Sequence, residues 1–159
     1  MWTGVIGDFV IGPVFLNGPV TAASYSLFLR EELPGLLEDL PLNVRQRMFF
    51  QQDGHPAHRS DLAVAVLNEM FPNRWIGIRG YDFPARCPDL TVMAFFIWGF
   101  VKSEVFKNGL PEDREALVAM IRQAFRLLTP QMLSNARNTF AKRIALCLEQ
   151  GGGYFEHLL

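Results

Sequence analysis

Phe49-Phe50-Gln51-Gln52-Asp53-Gly54-His55-Pro56-Ala57-His58 sets an apolar run directly ahead of a carboxylate, a glycine and two histidines. The stretch Arg47–Gln52 reads as a short strand whose apolar centre suits burial. It runs into Asp53-Gly54, where the chain turns. A carboxylate at the end of a buried strand can face a cleft. The same Asp53 can instead close an Asx turn with Gly54, and the residues alone leave both roles open.

Outward from this stretch the periods change. His58–Met70 reads as a helix with Leu62, Val64, Val66, Leu67 and Met70 apolar, and Arg74–Ile78 as a second short strand with Trp75 and Ile76 in the core. Upstream, Trp2–Ile6 and Phe9–Phe15 flank Gly7-Asp8, a two-residue loop that predicts a hairpin. Tyr25, Phe28, Leu29, Leu33, Leu36, Leu37 and Leu40 follow a helical period, with Thr21 or Ser24 as cap and a kink or restart at Pro34. Downstream, Tyr81–Pro88 is a loop punctuated by Pro84 and Pro88. Thr91 caps an apolar helix through Val92, Phe95, Phe96, Trp98 and Phe100. Pro111 opens a helix to about Leu128, and Thr129-Pro130 opens a last one that stops near Gly151. Strands alternating with helices predict an α/β layered domain over residues 1–159, with no internal repeat.

The chain has 159 residues, enough for one domain with a real core. Half of them are hydrophobic and 13% aromatic, which is globular and not disordered. A net charge of -1 excludes a strongly basic nucleic-acid module, so any DNA contact has to come from local patches. Cys87 and Cys147 are the two cysteines and read as reduced, buried thiols. The apolar start is broken by Gly4, Gly7, Gly12, Pro13, Gly18 and Pro19 and lacks a basic flank, unlike a signal peptide. The longest apolar run, Val92–Val101, is too short to span a bilayer. A soluble, intracellular protein without a membrane partner is expected.

Two motifs in order, the Phe49–His58 stretch and Pro84-Ala85-Arg86-Cys87-Pro88-Asp89-Leu90-Thr91, followed closely by Phe95-Phe96-Ile97-Trp98-Gly99, resemble the catalytic domain of mariner-superfamily DDE transposases. The likeness extends from Trp2 to the Gly-Gly-Tyr-Phe-Glu-His-Leu-Leu tail. It implies an RNase H-like layered fold: a mixed sheet flanked by helices, with helices at the C-terminus. It also implies three acids that hold two Mg2+ or Mn2+ ions for DNA cleavage and strand transfer, the chemistry of DNA transposition and integration. Two such metals activate the attacking oxygen and stabilise the leaving one, and they need several hard carboxylate oxygens. Asp53 matches the second acid and is the candidate catalytic and metal residue. The third position falls on Ala94, whose methyl group binds no metal. The first acid belongs to a central strand ahead of the hairpin, and Asp8, in the predicted turn, does not replace it. On this reading the domain is N-terminally truncated, degenerate and catalytically inactive. Its implied partners are DNA, bound weakly and without sequence preference, and another transposase chain; its implied location is nuclear.

Other residues carry competing readings. His55 and His58 lie near Asp53, but their spacing matches no common zinc site. His58 reads as a helix-start residue that packs near the former active site, and His55 stands where the family has a small residue. Asp89 reads as a helix cap or loop anchor, not as the third acid. The stripe Phe95, Phe96, Trp98 and Phe100 reads as core in preference to a base-stacking surface. Lys102, Lys107, Arg126, Arg137, Lys142 and Arg143 are either phosphate contacts or scattered surface charge. No helix-turn-helix is present to read a specific sequence. Two functions follow: a nuclease and strand-transfer enzyme, or a non-catalytic remnant that binds DNA or a transposase partner.

Overall fold

A computed structural model describes residues 1–81 and 88–159. The chain divides into two compact units, Met1–Trp2 with Val14–Cys87, and Thr3–Pro13 with Pro88–Leu159. The motif residues 84–87, Cys87 among them, lie outside the described residues, as does most of the expected loop from Tyr81 to Pro88.

Strands β1 (Trp2–Ile6) and β2 (Phe9–Val14) pair as the expected hairpin. Gly7 takes φ 56° in the turn, a region that costs a glycine little. Thr3 is buried, and its hydroxyl donates to the Ile11 carbonyl at 2.9 Å.

In the first unit, helix α1 (Ala22–Leu27) opens with a capping box. Thr21 Oγ1 accepts from the Ser24 amide at 3.1 Å and Ser24 Oγ accepts from the Thr21 amide at 2.9 Å, so both candidate caps act together. The helix widens into a π turn over Phe28–Glu32 and restarts as α2 (Leu33–Leu37). Pro34, in the first turn of α2, has no amide hydrogen to continue an α-helical ladder, and a π turn just before it re-registers the chain. A short helix α3 (Leu42–Arg47) follows. It corrects the expected strand Arg47–Gln52: only Phe50–Gln51 form β3, and Arg47 ends a helix. Helix α4 (Asp61–Met70) and strand β4 (Trp75–Ile76) complete a β-α-β unit.

Strands β3 and β4 run parallel, with Phe50 opposite Trp75 and Gln51 opposite Ile76. The Phe50 amide donates to Arg74 O at 2.9 Å and the Gln52 amide to Ile76 O at 3.0 Å. The core of this unit is Tyr25, Phe28, Leu29, Leu33, Ala63, Leu67 and Trp75, all buried. At the strand the burial inverts the expectation. Phe49 is 53% exposed, while the polar Gln52 is 6% exposed. Trp75 is locked by its indole donating to Asn68 Oδ1 at 2.9 Å and by Gly80, where a Cβ would come within 2.6 Å of the ring.

In the second unit, the 3-10 turn Pro88–Leu90 leads to a π turn over Met93–Ile97 and helix α5 (Trp98–Phe106). Thr91 enters through its carbonyl, which accepts from the Ala94 and Phe95 amides. Helix α6 spans Arg114–Arg126 and is capped by Asp113, so Pro111 lies ahead of the helix and not in its first turn. Helix α7 (Pro130–Glu149) is capped by Thr129 as expected. It ends in a Schellman arrangement, with Gly152 N bonded to Cys147 O at 2.8 Å, Gly151 N to Leu148 O at 3.0 Å, and Gly151 at φ 60°.

The core of this unit is Ile97, Val101, Val105, Ala124, Phe125, Leu128 and Leu133. Phe96 and Phe100 pack partly against it, whereas Trp98 is 38% exposed, which corrects its place in the expected stripe. The described strands thus form two two-stranded sheets in an α/β chain, not one mixed sheet. No helix of the described residues is long and apolar enough to cross a membrane.

Candidate functional site

The end of β3 delivers Asp53 into a compact polar cluster in the first unit. Its Oδ1 accepts from the His55 amide at 3.0 Å, the Asx turn that the sequence allowed. The same oxygen lies 2.6 Å from His58 Nδ1. An ionised carboxylate only accepts, so Nδ1 carries the proton in this pair. His55 Nδ1 accepts from the Ala57 amide at 3.2 Å, and the His55 carbonyl accepts from the His58 amide at 2.9 Å. His58 therefore sits in a turn before α4, which starts three residues later than the expected helix, at Asp61 behind a Ser60 cap.

Gln52 ties this turn to the core. Its Nε2 donates to His58 O at 2.8 Å, and its Oε1 accepts from the Tyr25 hydroxyl at 2.9 Å. The Tyr25 ring lies 4.3 Å from the His58 ring. The hydrogen bond from His58 outweighs the desolvation of Asp53 and, with the His55 amide, holds its carboxyl below the usual range. Burial, reinforced by the charge of Asp53, pushes the Tyr25 hydroxyl well above its ordinary value. Gln52 and Tyr25 were not legible as site residues. Gln52 adjoins the quoted aspartate, but nothing in the sequence marks the partner 27 positions earlier.

The other candidates lie elsewhere. Ala94 is exposed in the π turn of the second unit. Asp8, in the hairpin turn, pairs with Arg137 at 2.8 Å, and Arg137 also donates to Gly7 O. Asp89 is a loop anchor: its carbonyl accepts from Arg143 at 3.2 Å. Arg143 also reaches Glu156 at 3.4 Å and lies 4.5 Å over the Phe95 ring. Desolvation and a hydrogen bond with Glu156 raise the Asp89 carboxyl, against the pull of Arg143. Of the basic residues considered for phosphates, Arg137 and Arg143 are thus engaged internally, and Lys107 pairs with Glu104 at 3.6 Å.

A pair of divalent ions does not fit this donor set. Among the described residues no three His, Cys, Asp or Glu side chains converge as a metal site. The one carboxylate at the candidate position has an oxygen already committed to an imidazole and an amide.

The chain superposes on a solved structure of the Mos1 transposase catalytic domain with Raltegravir and Mn, with a TM-score of 0.80 over 97% of this chain and 76% of that one, at 19% identity. The chain has the Mos1 transposase catalytic-domain fold. A transposase catalytic-domain fold is what the two sequence motifs led one to expect. No family model and no curated protein matches the sequence.

Proposed function

We propose that this chain is a mariner-type, RNase H-like transposase domain that no longer cuts DNA and acts as a DNA-binding module. Its ancestry is the two-metal cleavage and strand transfer of DNA transposition. The fold likeness and the paired motifs support that ancestry. The observation that carries the loss of catalysis is the pairing of Asp53 with His58, together with a methyl group at Ala94, in place of converging carboxylates. Metal pairs need several hard oxygens at once, and one partly committed aspartate does not supply them. Asp53 remains the residue that matches the second acid.

With a net charge of -1, binding through local arginines is weak, salt-sensitive and indifferent to sequence. A second transposase chain is the protein partner this fold suggests, and a nuclear location accords with a DNA partner. The test is a plasmid assay in magnesium and in manganese, run beside a calorimetric manganese titration. The expected result is intact supercoiled plasmid and no tight two-site isotherm. Nicking or strand transfer that vanishes in Asp53→Asn returns the chain to the enzyme class.

A further inference from the structure

Helix α6 turns Leu117, Ile121 and Phe125 to the core of the second unit and leaves Arg114, Arg122 and Arg126 exposed. At 1.5 Å of rise per residue, Arg122 and Arg126 stand about 6 Å apart along the axis, and the row from Arg114 extends about 18 Å. The three arginines line a shallow groove of about 440 Å³ with Glu115, over a floor of Val118 and Ala119. A second groove, of about 320 Å³, adjoins it. Arg122 and Arg126 line both, and Val10, Gly12, Pro13 and Phe125 close the second.

Three cations against one carboxylate make this a local excess of positive charge on a chain of net charge -1. Three exposed arginines away from the groove hold the chain's own carboxylates, Arg30 with Glu69, Arg79 with Asp61 and Arg137 with Asp8, whereas the isolated Arg47 and Arg59 do not. Arg114 and Arg126 enter none of the ion pairs among the described residues.

We propose that this double groove on α6 and β2 is the surface that binds the phosphate backbone of a DNA duplex, an assignment that rests on the DNA-binding reading above. Guanidinium forks match phosphate oxygens bidentately. The small floor between Arg114 and Arg122 lets a strand lie close to the helix. A row of about 18 Å is long enough to face about three successive phosphates of one strand. Three guanidinium groups along one helix face suit the closely spaced charges of a polyanion. Contacts to phosphate oxygens position DNA without choosing a sequence.

Fluorescence anisotropy with a labelled duplex of random sequence, in a series of salt concentrations, tests the assignment. Arg122→Gln/Arg126→Gln is expected to weaken binding more than tenfold at low salt and to lower the salt slope by about 2. Glu115→Gln, which removes the groove's one carboxylate, is expected to tighten binding two- to threefold, and this arm stands even if the double variant folds poorly. Lys102→Gln, elsewhere on the surface, is expected to change little. Polyglutamate of equal charge is expected not to displace the duplex. A wild-type chain that binds DNA with the same slope in the double variant, or with no gain in Glu115→Gln, overturns the surface and leaves the reading intact. Displacement by polyglutamate overturns the choice of DNA as occupant. A wild-type chain that binds no duplex at low salt overturns the reading itself.

Discussion

His58 Nδ1 lies 2.6 Å from Asp53 Oδ1, so the carboxylate that the sequence motif offers as a catalytic acid is held by an imidazole from its own turn. Five positions separate the two residues, and the Asx turn at His55 brings the chain back on itself between them. The contact joins the end of β3 to the start of α4. Through Gln52 it also joins Tyr25 on α1. A carboxylate used this way acts as a structural hinge pin and is poorly placed to give both oxygens to cations.

Its pH dependence has a definite sign. The folded Asp53 carboxyl sits below its ordinary value, chiefly through the bond to His58. Its contribution to stability is present above the unfolded pKa of about 3.9 and is lost as pH falls through the lower folded value. Asp53→Asn removes this dependence. The side chain is 64% exposed, so solvent screening limits the effect to about 0.5–1 kcal/mol at neutral pH. Urea unfolding of both proteins from pH 2 to 7 should show curves that converge at the acid end. A gap that persists there assigns the loss to packing.

Tyr25→Phe deletes a buried hydroxyl and leaves Gln52 Oε1 unpaired inside the protein. The expected cost is about 1–3 kcal/mol, as an orphaned buried acceptor bears its desolvation alone. The raised hydroxyl has the opposite pH sign to Asp53. Its contribution is complete below the unfolded value of about 10 and declines as pH rises toward the folded one. In a titration of phenolate absorbance, one of the three tyrosines should stay protonated until the chain unfolds. In Tyr25→Phe that late step should be missing.

Much of this fold is written in local signals. Gly7-Asp8 marks the hairpin, Thr129-Pro130 the start of α7 and Gly151 its end, because each answers to backbone rules acting within a few residues. Helix α3 is silent in sequence because Pro41 gives no side-chain cap and its six residues bury nothing. Trp98 misleads for a related reason. In an all-apolar stretch the period vanishes, and the seam is set by Ile97, Val101 and Val105, spaced by four, not by the largest rings. At the site, Asp53 is legible from the strand that precedes it. The bond between Tyr25 and Gln52 is tertiary, and no short-range pattern encodes it.

Ala94→Asp places an acid where the motif order expects one, on an exposed position of the second unit. Plasmid cleavage should still be absent in magnesium and in manganese. Asp53 Oδ1 remains held by His58 and the His55 amide, and two carboxylates fall short of a two-metal donor set. The exposed position predicts a stability change within about 0.5 kcal/mol, so a folded, inactive variant is the expected outcome. Nicking by this single variant would sink the argument from the donor set.

Arg143 anchors the other end of the chain. Its guanidinium donates to Asp89 O and reaches Glu156 while it covers Phe95, so the 3-10 turn at Pro88–Leu90 and the C-terminal turn share one cation. Both Asp89 and Glu156 gather at Arg143, and burial, with the neighbouring Glu156 carboxyl, raises the Asp89 carboxyl. The protonated form is the one favoured by folding. Its contribution is therefore full below the unfolded pKa of about 3.9 and is lost as pH rises through the folded value. Glu156→Gln replaces a repelling carboxylate with a neutral amide and retains a donor for Asp89. Carbon-detected NMR of the Asp89 carboxyl should show a midpoint above the ordinary aspartate value in the wild type and a lower one in Glu156→Gln. Burial, the larger cause, persists in the variant, so the fall should be partial. If the midpoint does not move, Glu156 has no part in the shift, and Arg143 alone links the C-terminal turn to Asp89.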